Sequence, residues 1–258
     1  MNHDGVASAR GALGFRADWA LFLDLDGTLL DIAATPQGVE VHPTIVPTLA
    51  RLSRGLAGAL AILSGRAIAD IDRLLAPLRL PAAGQHGAEL RLDPAGPIER
   101  AALPPRPHEW DARLAALARE HTGLLLEDKG LGVAVHYRNA PAAEPAVRRV
   151  LRGLVDGAQG FALKSGKCVW EILPRGCDKG AALRRLMAAP PFAGRLPVVL
   201  GDDVTDEDAF RAAVALGGHA VRVGPPSAAA TATLAGPRAV RDWLAAGAAA
   251  LAGEETPA

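Results

Sequence analysis

Short uninterrupted apolar runs recur along this chain, most of them followed at once by a polar cluster, and this narrows the possible folds sharply. The runs are Ala20-Leu21-Phe22-Leu23, Leu60-Ala61-Ile62-Leu63, Val198-Val199-Leu200 and, more weakly, Ala220-Val221-Arg222-Val223. A segment with no polar position has no face to offer to water, so it fits a strand covered on both sides in a parallel sheet. Helical patterns lie between the runs, at Pro47 to Ser53, Ile68 to Leu75, Lys179 to Met187 and Asp206 to Ala215. This alternation in the first and last thirds predicts an α/β protein with a doubly wound, Rossmann-like parallel-sheet core.

The middle of the chain follows another rule. Leu103-Pro104-Pro105-Arg106-Pro107 reads as a stiff linker, and a helix is expected from Trp110 to His121. In Gly132 to Arg138, residues Val133, Val135 and Tyr137 share one face while Ala134, His136 and Arg138 share the other. In Lys167 to Ile172 the faces are Cys168, Trp170 and Ile172 against Lys167, Val169 and Glu171. Such alternation belongs to an antiparallel sheet packed on one side and open on the other. The expected organisation is a core of residues 1–102 and 173–258, with a smaller α+β domain, residues 103–172, inserted into it.

Composition excludes several function classes. Lys+Arg and Asp+Glu both count 28, so no net field draws the chain to nucleic acid or an anionic membrane. Two cysteines, Cys168 and Cys177, are too few for a disulfide framework or a zinc set. The N-terminus lacks a basic start and apolar leader, and no run is long enough to span a bilayer. The expectation is a soluble cytoplasmic protein, monomeric by preference, with a loose tail after Leu251.

The chemistry gathers at strand ends. Asp24-Leu25-Asp26-Gly27-Thr28, Ser64-Gly65-Arg66 and Gly201-Asp202-Asp203 each follow a buried-strand candidate. Ligands of open parallel sheets bind outside the carboxyl ends of the strands, so these clusters should converge on one crevice. Asp24 and Asp26, two apart in extended chain, point the same way and repel unless a cation lies beside them. Mg²⁺ resolves that conflict and takes few carboxylates, so Asp24, Asp26 and Asp202 are its expected ligands. Gly27 permits a sharp turn that turns amides toward phosphate oxygens, Ser64 can donate a hydroxyl to them, and Lys179 can set a point charge on them.

This ordered set, Asp24 to Thr28, Ser64, Lys179 and Gly201-Asp202-Asp203, resembles the motifs of the haloacid dehalogenase-like (HAD) superfamily. Further segments resemble the trehalose-6-phosphate phosphatase family: Ile62-Leu63-Ser64-Gly65-Arg66, Gln85-His86-Gly87-Ala88-Glu89, Gly166 to Pro174 with Lys179-Gly180, and Gly201 to Glu207. Leu173 departs from the pattern, since a basic residue often precedes that proline.

The resemblance implies a Mg²⁺-dependent phosphatase of a small sugar phosphate, trehalose 6-phosphate. Asp24 would be the nucleophile that becomes an aspartyl phosphate, and Asp26 the general acid and then base. Ser64 and Lys179 would offset phosphoryl charge, with Asp203 and Asp206 holding Lys179 or water behind them. The inserted domain would be a cap closing over the crevice to select substrate. Candidates for substrate contact are Asp24, Leu25, Asp26, Arg66, His86, His136, Arg138, Lys167 and Glu171, while His86 and Glu89 could equally be structural.

Other readings use the same residues: a phosphatase of sucrose phosphate or mannosylglycerate phosphate, a phosphate-receiving signalling module, or a silent sugar-phosphate binder. Asp26 and the large insert speak against the module. A complete set of catalytic side chains speaks against the silent binder.

Overall fold

The structure, a computed structural model, describes residues 7–8, 13–33, 38–102, 106–130 and 132–254. It divides into two compact units, Met1–Glu99 with Asp178–Ala258, and Arg100–Cys177.

In chain order the first unit supplies strands β1 (Ala7–Ser8), β2 (Trp19–Leu23) and β3 (Leu60–Leu63), with helices α1 (Ile45–Gly55) and α2 (Ile68–Leu75). Short strands β4 (Ala82–Gly84), β5 (Glu89–Arg91) and β6 (Glu99–Arg100) follow. The second unit holds α3 (Glu109–Glu120), β7 (Leu125–Asp128), β8 (Val133–His136), α4 (Glu144–Asp156), β9 (Phe161–Gly166) and β10 (Val169–Pro174). The chain returns to the first unit with α5 (Lys179–Met187), β11 (Leu196–Gly201), α6 (Glu207–Ala215), β12 (His219–Val223), β13 (Ala232–Leu234) and α7 (Pro237–Glu254).

The larger sheet has the order β1-β13-β12-β11-β2-β3-β4-β5-β6. Pairing is parallel from β1 through β4 and turns antiparallel between β4 and β5. The central strands β2 and β3 are buried at every position, as their unbroken apolar character requires. The α/β doubly wound core is thus the fold expected. Its helices carry apolar stripes at helical spacing: α1 buries Ile45, Thr48, Leu49 and Leu52, and α2 buries Ile68, Ile71 and Leu75. Helix α7, which the sequence reading leaves out, buries Val240, Leu244, Ala248 and Leu251. The expected loose tail after Leu251 is corrected to this extent: the helix runs on to Glu254.

The second unit has one four-stranded antiparallel sheet, β7-β8-β10-β9, where two strands are expected from sequence. Val133, Val135, Leu151, Phe161 and Ile172 join Trp110, Leu114 and Val147 in a separate apolar core, with the Trp110 and Phe161 rings edge to face at 5.0 Å. Two boundaries shift from expectation. Strand β10 continues past Ile172 to pair Pro174 with Phe161, and Lys167 with Cys168 forms the turn between β9 and β10 instead of opening a strand. Cys168 sits there at φ 60, so the alternation assigned to Lys167 and Cys168 does not exist. Of the expected linker, residues 103–105 lie outside the described residues. Arg106 ties the start of the unit to Asp111 and Asp128 at 2.8 and 2.9 Å. Among the described residues no helix is long and apolar enough to cross a membrane.

One ion pair anchors the antiparallel edge of the larger sheet. Arg91 on β5 is fully buried; its guanidinium donates to both Asp72 oxygens on α2, at 2.7 and 2.6 Å, and to the Leu80 carbonyl at 2.8 Å. Removing one member of a buried pair strands the other charge without compensation. Asp72→Ala is therefore expected to lower stability in urea unfolding by about 2–4 kcal/mol, and Arg91→Met, which removes the buried charge itself, by less.

Candidate active site

Strands β11, β2 and β3 are neighbours, and their carboxyl ends bring the expected clusters together. Asp24 follows β2 directly, its amide donating to the Leu200 carbonyl of β11 at 3.0 Å. Ser64 follows β3, its amide bound to the Ala83 carbonyl at 2.9 Å. Asp202 follows β11, and the Thr28 hydroxyl lies 3.4 Å from its Oδ1. Lys179 is the first residue of α5, behind an N-cap in which Asp178 accepts from the Ala181 amide at 2.7 Å.

The centre of the site is the buried Lys179 ammonium. It donates to Asp24 Oδ1 at 2.7 Å and to Asp206 Oδ1 at 2.6 Å, and all three side chains are nearly inaccessible to solvent. Burial works to lower the lysine's pKa, yet the Asp206 and Asp24 charges outweigh it and hold the ammonium above its ordinary value. Asp24 goes the other way. Burial first, then the charges of Asp206 and Asp202, push its carboxyl well above the usual carboxylate range despite Lys179.

Asp24, Asp202 and Asp206 each present a carboxylate oxygen within 4.8 Å of the others. Three acidic groups against one ammonium leave an excess of negative charge on hard oxygen donors. That donor set suits a hard divalent cation. Asp206 is the member already engaged through both oxygens, by Lys179 and by the Asp203 amide at 3.0 Å. Asp203 is occupied as the cap of the following turn, its Oδ1 accepting from Val204 at 2.8 Å. Of the two residues expected behind the site, then, Asp206 grips Lys179 and Asp203 shapes the loop.

Two glycines make room for these carboxylates. Gly27 has φ +83, and a Cβ there would overlap the Asp202 carboxylate; a Cβ on Gly201 would overlap Asp206. Both positions are closed to larger residues by the site itself.

Other expected site residues are engaged within the chain. The Asp26 side chain lies outside that cluster: its oxygens accept from Arg66 Nε and Nη2, both at 2.6 Å. Arg66 is thereby occupied by a carboxylate of the same chain. Leu25 is wholly buried in the apolar core and its carbonyl closes the turn to Leu29 and Leu30 at 2.8 Å, so its side chain is structural. His86 and Glu89 serve the loop after β3. The amides of Gln85 and His86 donate to the Arg66 and Ser64 carbonyls at 2.9 and 3.0 Å, and Glu89 accepts from the Ile68 amide at 2.8 Å. The price is left-handed backbone at Gln85 (φ 48) and His86 (φ 55).

In the second unit, Glu171 on β10 is buried and paired with Lys129 at 2.9 Å, while His136 on β8 meets Glu127 at 2.7 Å. Burial works against the Glu127 carboxylate, but the His136 hydrogen bond and the Lys129 charge outweigh it and hold its pKa low. Register puts Lys164 opposite Glu171, and Glu127 opposite Ala134, on the sheet face away from the unit's core. Arg138 lies just past the end of β8, and Lys167 is exposed in its turn. Sequence reading missed Glu127 and Lys129, because Leu125-Leu126-Glu127-Asp128 does not alternate and gives no strand signal.

Replacing Lys179 with methionine leaves Asp24 and Asp206 facing one another in a buried space. Lys179→Met is expected to cost about 3–5 kcal/mol near neutral pH by chemical denaturation. The folded-state pKa of Asp24 already lies above its unfolded value, so ionising it removes stability as pH rises, and the loss of Lys179 enlarges that effect. The deficit should therefore shrink toward pH 4 and grow toward pH 7.

Known proteins match this chain along most of its length. The family model for trehalose-phosphatase matches residues 22–233. A probable trehalose-phosphate phosphatase of Sinorhizobium fredii is 44% identical over 81% of this chain and 79% of its own. The trehalose-6-phosphate phosphatase of Escherichia coli is 41% identical over 88% and 86%. The solved C-terminal domain of trehalose-6-phosphate phosphatase from C. albicans superposes with a TM-score of 0.84, covering 96% of this chain and 99% of that one at 22% identity, which speaks to the fold. On the family model and these two relatives, the chain belongs to the trehalose-phosphatase family, a family of phosphatases.

Proposed function

We propose that this protein is a Mg²⁺-dependent phosphatase that converts trehalose 6-phosphate to trehalose and phosphate through an aspartyl phosphate on Asp24. The observation that carries the reading is the buried ammonium of Lys179 fixed against Asp24 at 2.7 Å, with Asp202 in the same acidic cluster. Relatives in Escherichia coli and Sinorhizobium fredii bearing the trehalose-phosphatase name support the choice of substrate.

Lys179 holds Oδ1 of Asp24, which leaves Oδ2 to attack phosphorus in line. The new Oδ2–P bond forms as the bond from phosphorus to the sugar oxygen breaks, and Asp26 supplies the proton that oxygen needs. Water then attacks the phosphoaspartate, Asp26 accepts its proton, and the Oδ2–P bond breaks to free phosphate and Asp24. Lys179 and Ser64 offset charge on the phosphoryl oxygens, where phosphoryl transfer offers a protein most leverage. Asp24 and Asp202 are the carboxylates best suited to hold Mg²⁺, since Asp206 is committed through both oxygens. Bound there, the ion supplies Lewis-acid neutralisation of phosphate charge.

A disaccharide offers hydroxyls, and their recognition calls for donors and acceptors side by side. The Lys129–Glu171 and His136–Glu127 pairs of the second unit supply both kinds.

Phosphate release from trehalose 6-phosphate, sucrose 6-phosphate and glucose 6-phosphate tests the proposal. Selective turnover of the first is expected, lost on chelation by EDTA and restored by Mg²⁺, and lowered at least ~10⁴-fold in Asp24→Asn. Preference for another sugar phosphate would sink the substrate assignment and keep the mechanism; turnover surviving in Asp24→Asn would sink the mechanism. Mg²⁺ should also raise the thermal midpoint of the native protein, by the equivalent of about 2.7 kcal/mol at a hundredfold excess over Kd, and Asp202→Asn should remove most of that rise.

A further inference from the structure

We infer that Arg66 is a positioning residue that holds Asp26 apart from the acidic cluster and fixes its ionised carboxylate to accept a proton. The inference rests on Asp26 being the acid and base of the proposed reaction.

Asp24 and Asp26 are separated by one residue, yet their carboxylates have opposite surroundings. Asp24 is buried against Lys179 with Asp202 and Asp206 close by. The Asp26 side chain is 37% exposed, and its two oxygens meet a guanidinium that is itself only 10% exposed. A two-point contact from Nε and Nη2 fixes both the position and the plane of a carboxylate, which a single donor cannot do.

Arg66 is in turn held at its backbone. Its amide donates to Ser64 Oγ at 3.2 Å and its carbonyl accepts from Gln85 at 2.9 Å, so the guanidinium is mounted on the loop that carries the phosphate-binding serine. That loop is braced by the left-handed pair Gln85 and His86, and a Cβ on Gly65 would come within 2.6 Å of the His86 ring. The backbone around Arg66 is thus closely determined on each side. Without the fork, a carboxylate two residues from Asp24 would be free to turn toward whatever cation the cluster holds and be lost to proton transfer.

Steady-state kinetics of Arg66→Met, Arg66→Lys and Asp26→Asn, each checked for folding by thermal unfolding, test the inference with trehalose 6-phosphate and an aryl phosphate whose leaving group departs unprotonated. Arg66→Met is expected to lower kcat on the sugar phosphate about 10²-fold with KM within about threefold. With the aryl phosphate, single-turnover phosphorylation of Asp24 should stay within about threefold of native while hydrolysis of the phosphoenzyme slows, the pattern also expected of Asp26→Asn. Arg66→Lys, a point charge without the fork, should restore less than about tenfold of the loss. If Arg66→Met does not fold, Arg66→Lys must still show lowered kcat at unchanged KM. A KM raised more than about tenfold, or equal slowing of both steps, would mean that Arg66 grips the substrate and would overturn the inference. Native-like Arg66 variants beside a slow Asp26→Asn would overturn it alone, whereas a native-like Asp26→Asn would remove the acid–base reading and this inference with it.

Discussion

A lysine ammonium buried between two carboxylates is the interaction on which the rest of this site depends. Lys179 reaches across 155 residues of sequence to Asp24 and across 27 to Asp206, tying the end of β2, the start of α5 and the loop after β11 to one point. A charge so fully desolvated is tolerated only because both partners are in hydrogen-bond contact with it. The nearby glycines follow from the same constraint, since Gly27 and Gly201 stand where a side chain would collide with the Asp202 and Asp206 carboxylates.

Around this point two aspartates of nearly the same sequence position are given different chemistry. Asp24 sits among acidic neighbours in a dry environment that penalises its charge, and only Lys179 opposes that penalty. Asp26 sits nearer solvent against a guanidinium fork. Division of labour between carboxylates by environment is a general device of acid–base catalysis.

The core strands were legible because a strand covered on both faces leaves an unbroken apolar run: Leu60–Leu63 coincides with its expectation, and Trp19–Leu23 differs by one residue. Helices α2 and α5 were legible from their spacing. Helix α7 was not, because its alanines blur the contrast between its faces, and β9 was not, because Ala162, Leu163 and Lys164 give no clean alternation. In the site, Asp24, Ser64, Asp202 and Lys179 could be found because strand ends and helix starts are visible in sequence. The Asp26–Arg66 fork could not, since partners 40 residues apart leave no local pattern, and Asp206 was placed behind Lys179 only by the family resemblance. The Asp26 carboxylate meets Arg66, and the chain turns directly after it, with Gly27 bonding to Leu30 at 2.8 Å.

The central pairing of the larger sheet joins Leu23 to Leu200, and the whole second unit lies in the sequence between them. During synthesis β2 must wait, one edge unpaired, until β11 has left the ribosome, whereas every strand pair of the second unit is complete by Pro174. The order of emergence therefore favours assembly of the insert first and of the larger unit last, with a bare apolar edge to shield in the interval. Lys179, the residue that locks Asp24, comes out between those two events.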